Sequence, residues 1–587
     1  MKHLVFGAVL VCGGLMAAQV KAQTTVQTAD ASFRHLADEY FSQAVFKFEP
    51  TYGTAVGLHQ YDAQLEDYSS AGVERQVATL KSFETKFDAV DGSKLDQSTE
   101  GDLEMVRNNI RGTLLELKTI RGWEKNPDEY SSGITESAFS LMERKFAPPD
   151  ERLRSLIARE EQMPGALMDA RANLKNPPLI YTQIALEQLP DIISFFGNDV
   201  PAAFKDAKDP ATIVEFHKSN AAVIAALKDY QQWVKADLLP RSHGDFRIGA
   251  KAFSEKLADD EMVTTPLPEL LEIAYADLHK NQAWFARVAK ELDPTKTPQQ
   301  VLAELAADHP APDQLLQAFH DRFNSEIAFI RSHHIITIPS TVEPVLEETP
   351  PFMRATTQAS MDSPGPFETH STTAYFNVTL PEKDWPATRT AQYMAAFNVG
   401  TIVSTSVHEA YPGHYVQFLW VNHTDLSKVR KLITSNTNVE GWAHYCEEMM
   451  LDEGYGQPGA GAKNAREAKL IRLGQLQDAL LRDARFVVGI KLHTGQMTLD
   501  QAREFFVKEG YQSPAIADVE TKRGTSDPTY LYYTLGKLEI MKLRSDMEKK
   551  EGAKFSLEKF HDQFMRQGGA PIKIVRRAML GDDSPVL

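Results

Sequence analysis

Residues 408–414 read His-Glu-Ala-Tyr-Pro-Gly-His, and residues 440–448 read Glu-Gly-Trp-Ala-His-Tyr-Cys-Glu-Glu. The first segment supplies two imidazoles with a carboxylate beside the first, and the second adds a further carboxylate downstream. Three protein ligands and a position for water are the pattern of a catalytic zinc site. The two segments therefore predict a Zn²⁺ site and favour a zinc peptidase.

The spacing of the two histidines constrains the local structure. His408 and His414 are six residues apart, whereas the usual peptidase signature places its histidines four apart on one helix face. At roughly 100° per residue, a continuous helix would set them about 240° apart. Pro412 lacks an amide proton and Gly413 tolerates unusual backbone angles, so we expect a proline-glycine bulge that returns His414 to His408. Two histidines that cap helix carbonyls are the alternative.

The second segment supplies the third ligand in this interpretation. Glu440, His444 and Glu447 are spaced i, i+4 and i+7, so they share one helix face. Apolar neighbours such as Trp442 and Met449 favour a polar patch in an apolar setting over a solvated surface stripe. We expect Glu440 to bind the metal. Glu447 or His444 would orient a ligand imidazole through its other ring nitrogen.

Glu409 is the candidate general base. Bound zinc lowers the pKa of its water, and a nearby carboxylate takes the proton and later delivers it to the leaving amine. Glu409 is adjacent to a ligand but points in a different direction, which suits a base better than a ligand.

The two segments resemble the signatures of the bacterial proteins grouped as domain of unknown function 885, His-Glu-x-x-Pro-Gly-His followed by Glu-Gly-Trp-Ala-x-Tyr-x-Glu. The resemblance extends to a Tyr-x-x-Gly segment, here residues 533–536, and covers most of the mature chain. That family is similar to the helical zinc peptidases around thimet oligopeptidase and angiotensin-converting enzyme. The resemblance implies a large, mostly α, zinc-peptidase-like fold with a deep cleft, and short peptides as substrates.

The resemblance also nominates Tyr533 as the hydrogen-bond donor that stabilises the oxyanion of amide hydrolysis. A core or cleft-wall tyrosine is the alternative. His493 and Arg544 are secondary candidates for contacts with a substrate carboxylate or carbonyl, with a structural role as the alternative for each.

The rest of the chain has a predominantly helical pattern, with apolar residues at intervals of three and four. Residues 374–380 are the predicted exception, a small β element just before the helix that carries His408. It is a candidate for pairing with a substrate backbone, or a structural hairpin. The predicted organisation is a signal peptide at residues 1–22, an N-terminal helical half at 23–260 and a catalytic half at 261–587, together one peptidase-like domain.

The N-terminus and the charge indicate location and partners. Lys2, an apolar run and the segment Val20-Lys21-Ala22 are typical of a cleaved signal peptide, and the run is too short to span a membrane. We expect a periplasmic or secreted protein without an integral membrane segment. The net charge of −17 becomes −19 when the two lysines of the signal are removed, which argues against nucleic acid and an anionic membrane as partners. The charge says little about the substrate, and a peptide substrate is expected from the zinc motifs and the family resemblance.

Two alternatives remain open at the level of sequence. One is a non-catalytic periplasmic helical protein that binds metal or peptide, and the other is a zinc hydrolase of a different amide or ester. Glu409 favours an enzyme, because a storage site needs no base beside its ligands.

Overall fold

The computed structural model describes residues 26–349, 354, 357–383 and 385–587. Over these residues the chain is mostly helical, which confirms the predicted fold class at that level, and the strands are few and short. The predicted signal peptide at residues 1–22 lies outside the described residues. None of the described helices combines the length and apolar character that a membrane span requires.

The part of the chain before the sheet is helical. Its helices are α1 (26–40), α2 (Phe46–Phe48), α3 (Pro50–Ala55), α4 (Ser70–Asp88), α5 (Gln97–Leu115), α6 (Asp128–Met142), α7 (Pro149–Glu160), α8 (Met163–Asn173), α9 (Leu179–Ser194), α10 (Val200–Ala203), α11 (Pro210–Trp233), α12 (Gly249–Asp260), α13 (Leu267–Leu292), α14 (Pro298–Ala307) and α15 (Leu315–Ser332).

The part of the chain after the sheet region contains both sequence motifs. Its helices are α16 (Ala387–Met394), α17 (Val399–Glu409), α18 (His414–His423), α19 (Lys428–Leu432), α20 (Asn436–Asp452), α21 (Ala465–His493), α22 (Leu499–Lys508), α23 (Pro514–Ser526), α24 (Tyr532–Glu551), α25 (Leu557–Met565) and α26 (Ile572–Leu580). A minimal two-stranded pair, β4 (Gln457–Pro458) and β5 (Gly461–Ala462), lies between α20 and α21.

A small three-stranded sheet precedes the helix that ends in the first motif. Its strands are β1 (Val345–Glu348), β2 (Ala359–Asp362) and β3 (Tyr375–Val378), in the order β1-β3-β2. β3 is the strand expected at residues 374–380, and it pairs parallel with β1 and antiparallel with β2. The expectation that this strand offers a free edge is wrong, because both of its edges are already hydrogen-bonded. The edge strand that contacts α17 is β2.

The apolar core joins segments that are distant in sequence. The largest cluster of buried side chains combines α1, α4 and α5 with α20, α24, α25 and α26. A second cluster is built only from residues between Leu65 and Leu238. The boundary near residue 260 stays a prediction, and Phe253 and Leu270 on its two sides pack into one small core with α21 and α24.

Two glycine pairs set the spacing of the helices that carry the motifs. A Cβ atom on Gly441 of α20 would lie 2.6 Å from the Cα of Gly536 on α24. A Cβ atom on Gly400 of α17 would likewise lie 2.8 Å from the Cα of Gly474 on α21. Backbones approach this closely only where neither residue has a side chain. The two contacts belong to one group of helices, in which α17 and α24 each pack against both α20 and α21.

Lys537, the residue after Gly536, stabilises the same crossing of α20 and α24 through ion pairs. Its fully buried ammonium group donates to Asp277 of α13 at 2.9 Å and to Glu448 of α20 at 3.2 Å. Burial alone would lower the pKa of Lys537, but the two carboxylates outweigh burial and raise it. Since an unpaired buried charge is costly, these ion pairs favour one arrangement of α13, α20 and α24.

The glycine contact generates a stability prediction. A Cβ atom on Gly536 would lie 2.0 Å from the carbonyl oxygen of Thr437, a backbone atom that cannot rotate away. We expect Gly536→Ala to lower the free energy of unfolding by about 3 kcal/mol, the upper part of the range for overpacked sites. Denaturant unfolding followed by circular dichroism measures this change.

Gly165→Ala is the matched control, because Gly165 is exposed in α8 and a Cβ atom there meets nothing within 4 Å. It should leave stability unchanged or raise it by up to about 1 kcal/mol, since alanine favours helix. Equal behaviour of the two variants would contradict the close crossing of α20 and α24.

Candidate metal centre

The first motif spans a break between two helices. α17 ends at Glu409 and α18 begins at His414, so the expected bulge within one bent helix is wrong, and the chain leaves one helix and enters another. The amide of Gly413 donates to the carbonyl of Val407 at 3.0 Å, which folds the break back onto the end of α17. A Cβ atom on Gly413 would lie 1.8 Å from the carbonyl oxygen of His408, so this position requires glycine.

The break brings the two motif histidines together. The ring centroids of His408 and His414 are 4.8 Å apart, with the ring planes at 88°. Glu440, near the start of α20, completes the group. Its Oε2 atom lies 3.4 Å from Nε2 of His408 and 3.4 Å from Nε2 of His414. The three residues predicted as ligands therefore meet, with one ligand atom from each within 4.8 Å of the others.

These separations suit a small metal ion. Ligand atoms about 2.0–2.1 Å from a tetrahedral zinc ion lie about 3.3–3.4 Å from one another. Both measured nitrogen-to-oxygen separations are 3.4 Å. The two histidines are buried, and the Glu440 side chain is 23% exposed. Two imidazoles and one carboxylate could hold zinc and leave a position open.

Hydrogen bonds connect the first motif, residues 408–414, and the start of α18 with α20, which carries the second motif. Nε1 of the buried Trp442 donates to the carbonyl oxygen of Pro412 at 2.9 Å. On α18, the side chain of Gln417 donates to Asn438 of α20 at 2.8 Å. Both bonds run from the region of the helix break to α20, and they hold Glu440 against the histidines.

Glu447 contacts His408 from the side away from Glu440. Its Oε1 atom accepts a hydrogen bond from Nδ1 of His408 at 2.7 Å, and Arg482 lies 3.1 Å from the same oxygen. The other oxygen accepts from the hydroxyl of Ser404 at 3.2 Å and faces Nδ1 of His444 at 3.2 Å. Glu447 thus makes the contact expected of an orienting group, whereas His444 contacts Glu447 and not a ligand histidine.

The surrounding charges keep Glu447 ionised. Burial alone would raise the pKa of this carboxyl, but Arg482 and the neighbouring histidines outweigh burial and hold the pKa well below its ordinary value. Burial lowers the pKa of His444 to about 4, so that ring is neutral at physiological pH. An ionised Glu447 favours the tautomer of His408 with its proton on Nδ1, which is the tautomer that a metal at Nε2 requires.

Glu409 lies beside this group without a partner. It is the last residue of α17, and its carboxylate makes no hydrogen bond or ion pair with any described residue. Burial raises its pKa, while the nearby His408 and His414 act in the opposite direction. An unpaired carboxylate with a raised pKa is suited to accept and release a proton.

Tyr533, at the start of α24, faces the same group. Its ring centroid is 6.4 Å from that of His408, and the two planes are inclined at 27°. The side chain is buried, and its hydroxyl oxygen accepts a hydrogen bond from Nη2 of Arg523 at 3.3 Å. Burial and the charge of Glu440 raise the pKa of Tyr533. The hydroxyl therefore keeps its proton and remains a donor.

Three arginines surround the ring of Tyr533. The guanidinium carbons of Arg482, Arg485 and Arg523 lie 5.6, 4.9 and 5.7 Å from its centroid. They come from α21 and α23, and sequence reasoning missed all three. No spacing or motif separates them from the other charged residues of those helices, so no local signal could have found them.

The two secondary sequence candidates have other partners. His493 donates from Nε2 to the carbonyl of Gly524 at 2.8 Å, and burial lowers its pKa to about 4. Arg544 donates to Glu453 at 2.7 Å and to Tyr445 at 3.2 Å. Neither has a described contact with the three-residue group, so these contacts give their predicted role toward substrate no support.

Comparison with known proteins places the chain in a family. Residues 50–579 match the family described as bacterial protein of unknown function, DUF885. A predicted lipoprotein of unknown function from Shewanella oneidensis has a similar structure, with 26% identity and a TM-score of 0.77 over 94% of this chain and 99% of that one. A predicted lipoprotein from Colwellia psychrerythraea, 16% identical, has a TM-score of 0.78 over 95% and 99%.

No functionally curated protein matches the chain. Both motifs, together with Tyr533, lie inside the residues that match the family. Because the match extends over most of the sequence, the chain belongs to the DUF885 family of bacterial proteins of unknown function.

Proposed function

We propose that this protein is a zinc-dependent metallopeptidase that hydrolyses peptide bonds, with short peptides as substrates. The observation that carries the proposal is the convergence of His408, His414 and Glu440 beside the unpaired carboxylate of Glu409. Two imidazoles and one carboxylate form a known ligand set of catalytic zinc, and hydrolysis requires a base in addition. A site that only stored metal would have no use for the base.

His408, His414 and Glu440 hold the ion in this proposal. When bound, zinc acts as a Lewis acid that lowers the pKa of water and polarises the scissile carbonyl. Glu447, kept ionised by Arg482, orients His408 through Nδ1. Partners of this kind contribute about 10–100-fold to metal affinity or activity.

Glu409 is the general base. Its carboxylate takes a proton from the attacking water and passes it to the nitrogen of the leaving amine. A raised pKa suits both steps, because a strongly acidic carboxyl would hold the proton too weakly to act as a base. The absence of a described ion-pair partner leaves the carboxylate free to exchange the proton.

Tyr533 stabilises the oxyanion that forms on the carbonyl oxygen. Arg523 donates to the phenol oxygen, so the hydroxyl proton is not used in that contact and can be donated to substrate. A neutral donor directed at an oxygen that gains charge lowers the energy of the transition state more than that of the ground state.

The substrate class and the location are proposed on broader grounds. Short peptides follow from the resemblance to helical zinc peptidases with deep clefts, and the edge strand β2 beside α17 offers backbone groups for an extended peptide. A periplasmic or secreted location follows from the signal-like N-terminus and the similarity to predicted lipoproteins.

Metal binding is the first test. We expect the mature protein to bind about one zinc ion per chain, as a single three-ligand site requires. His414→Ala should weaken zinc binding by at least about 10²-fold, because it removes one of three ligands. Elemental analysis and competition with a chromophoric chelator measure both quantities.

His423→Ala is the matched control, since His423 is exposed at the other end of α18 and, among the residues that the structure describes, bonds only to the carbonyl of Leu419. It should bind zinc as tightly as the wild-type protein. A His414→Ala protein with undiminished affinity would refute the ligand assignment.

The second test separates metal binding from turnover. Glu409→Gln preserves shape and removes the base, so it should retain zinc and lower kcat by about 10²–10⁴-fold on a mixed peptide library. Activity within about tenfold of wild type would exclude the general-base role. A wild-type protein that binds zinc but cleaves no peptide, amide or ester would instead be a metal-binding protein without turnover.

The third test concerns Tyr533. Tyr533→Phe should lower kcat by about 10²-fold with KM and zinc content nearly unchanged, because the hydrogen bond forms chiefly in the transition state. Tyr530→Phe is the control, since the buried hydroxyl of Tyr530 has no described hydrogen-bond partner. A Tyr533→Phe protein with a lower melting temperature but ordinary turnover would refute the oxyanion-stabilising role and show that Tyr533 has a structural role.

A further inference from the structure

The three arginines around Tyr533 differ in how their charges are balanced. Arg485 donates to both carboxylate oxygens of Glu520, at 2.6 and 2.8 Å. Arg482 lies 3.1 Å from Glu447. The Arg485 pair is buried and the Arg482 side chain is only 12% exposed, so neither guanidinium group offers much accessible surface to a ligand.

Arg523 is held more loosely. Its Nε and Nη2 atoms lie 3.3 and 3.2 Å from one oxygen of Asp527, which also accepts from the hydroxyl of Tyr532 at 2.9 Å. Nη2 also reaches the hydroxyls of Tyr532 and Tyr533 at 3.3 Å. Nη1 donates to no described residue, and the Arg523 side chain is 36% exposed. A guanidinium group carries five N–H donors, so Arg523 retains donors for a ligand in the solvent.

The position of Arg523 limits how far such a ligand can lie from the metal group, the name used below for His408, His414 and Glu440. Its guanidinium carbon is 5.7 Å from the centroid of the Tyr533 ring, which is 6.4 Å from the centroid of the His408 ring. The sum of the two distances, about 12 Å, is an upper limit on the separation between the Arg523 guanidinium carbon and the His408 ring. It corresponds to roughly three or four residues of extended chain. In a substrate bound as an extended chain, an anionic group held by Arg523 therefore lies only a few residues from a bond that reacts beside His408.

We propose that Arg523 binds the C-terminal carboxylate of the substrate, so that the enzyme cleaves within about the last three residues of a peptide. The proposal rests on the peptidase function above and adds the mode of cleavage. A guanidinium group matches a carboxylate in charge and geometry, and charge-assisted hydrogen bonds are stronger than neutral ones. The like charge of the Arg523 guanidinium group makes it an unfavourable partner for the N-terminal ammonium group of a peptide.

Peptide pairs that differ only at the C-terminus test the proposal. One member carries a free carboxylate and the other a neutral carboxamide. The wild-type enzyme should cleave the acid with a kcat/KM about 10–100-fold above that of the amide, the range for a hydrogen-bonded charge. In Arg523→Gln the ratio of the two kcat/KM values should fall to about one, because the acid peptide loses more than the amide, whatever loss both share through the contact of Arg523 with Tyr533. Arg523→Lys should retain part of the preference, because it keeps the charge.

Lys522→Gln is the matched control. Lys522 precedes Arg523 on α23, is partly exposed and pairs with Glu187 on the surface. The substitution removes the same unit charge, and it should leave the preference for the acid unchanged. Two outcomes would overturn the proposal: equal cleavage of acid and amide by the wild-type enzyme, or an Arg523→Gln protein that loses both activities equally, as a purely structural effect on Tyr533 would produce.

Binding gives a readout that does not depend on turnover. Calorimetry with zinc-loaded Glu409→Gln protein should show about 10–100-fold tighter binding of the acid peptide than of the amide, and adding Arg523→Gln should abolish the difference. Carboxylate-selective binding without hydrolysis by the wild-type protein would retain Arg523 as an anchor and refute the peptidase function. Hydrolysis by the wild-type protein without a preference for the acid peptide would support the peptidase function and refute the role of Arg523 as an anchor.

Discussion

The contact between the backbones of α20 and α24 is the constraint on which the site depends. Gly441 and Gly536 meet without side chains between them, and the residues beside them form the site. On α20, Glu440 precedes Gly441. On α24, Tyr533 lies one turn before Gly536, and Lys537 follows it with ion pairs to α13 and α20. This close crossing thus places the carboxylate of Glu440, the ring of Tyr533 and the buried ion pairs of Lys537 close to one another.

Glu409 differs from the carboxylates of Glu447 and Glu520 near the metal group, because those two are paired with an opposite charge. Burying an ion is costly unless an opposite charge lies close to it. Glu447 has Arg482 and His408, and Glu520 has Arg485. Glu409 is the exception, because its carboxylate has no described partner. Buried groups that break such rules are found more often at functional sites than elsewhere, and this is why the proposed function assigns Glu409 a role.

Three cationic side chains lie together beside the site in a protein that is acidic as a whole. The full chain carries a formal charge of −17, yet three guanidinium groups surround one tyrosine ring next to the metal group. Net charge therefore says little about what the site binds. Each of the three guanidinium groups is paired with a carboxylate, so what a substrate meets depends on which of their N–H donors are exposed.

The sequence by itself determined the mostly helical class and the three residues that converge, and it left open whether Glu447 or His444 contacts a ligand imidazole. Those predictions rest on local signals, namely helical periodicity, the proline-glycine pair and side chains spaced along one helix face. Only the tertiary structure decided that α17 and α18 are separate helices, that β3 is the central strand and β2 the edge beside α17, and that Arg523, not His493 or Arg544, lies beside Tyr533. These outcomes depend on which helices pack together across long stretches of chain, and no local spacing records that choice.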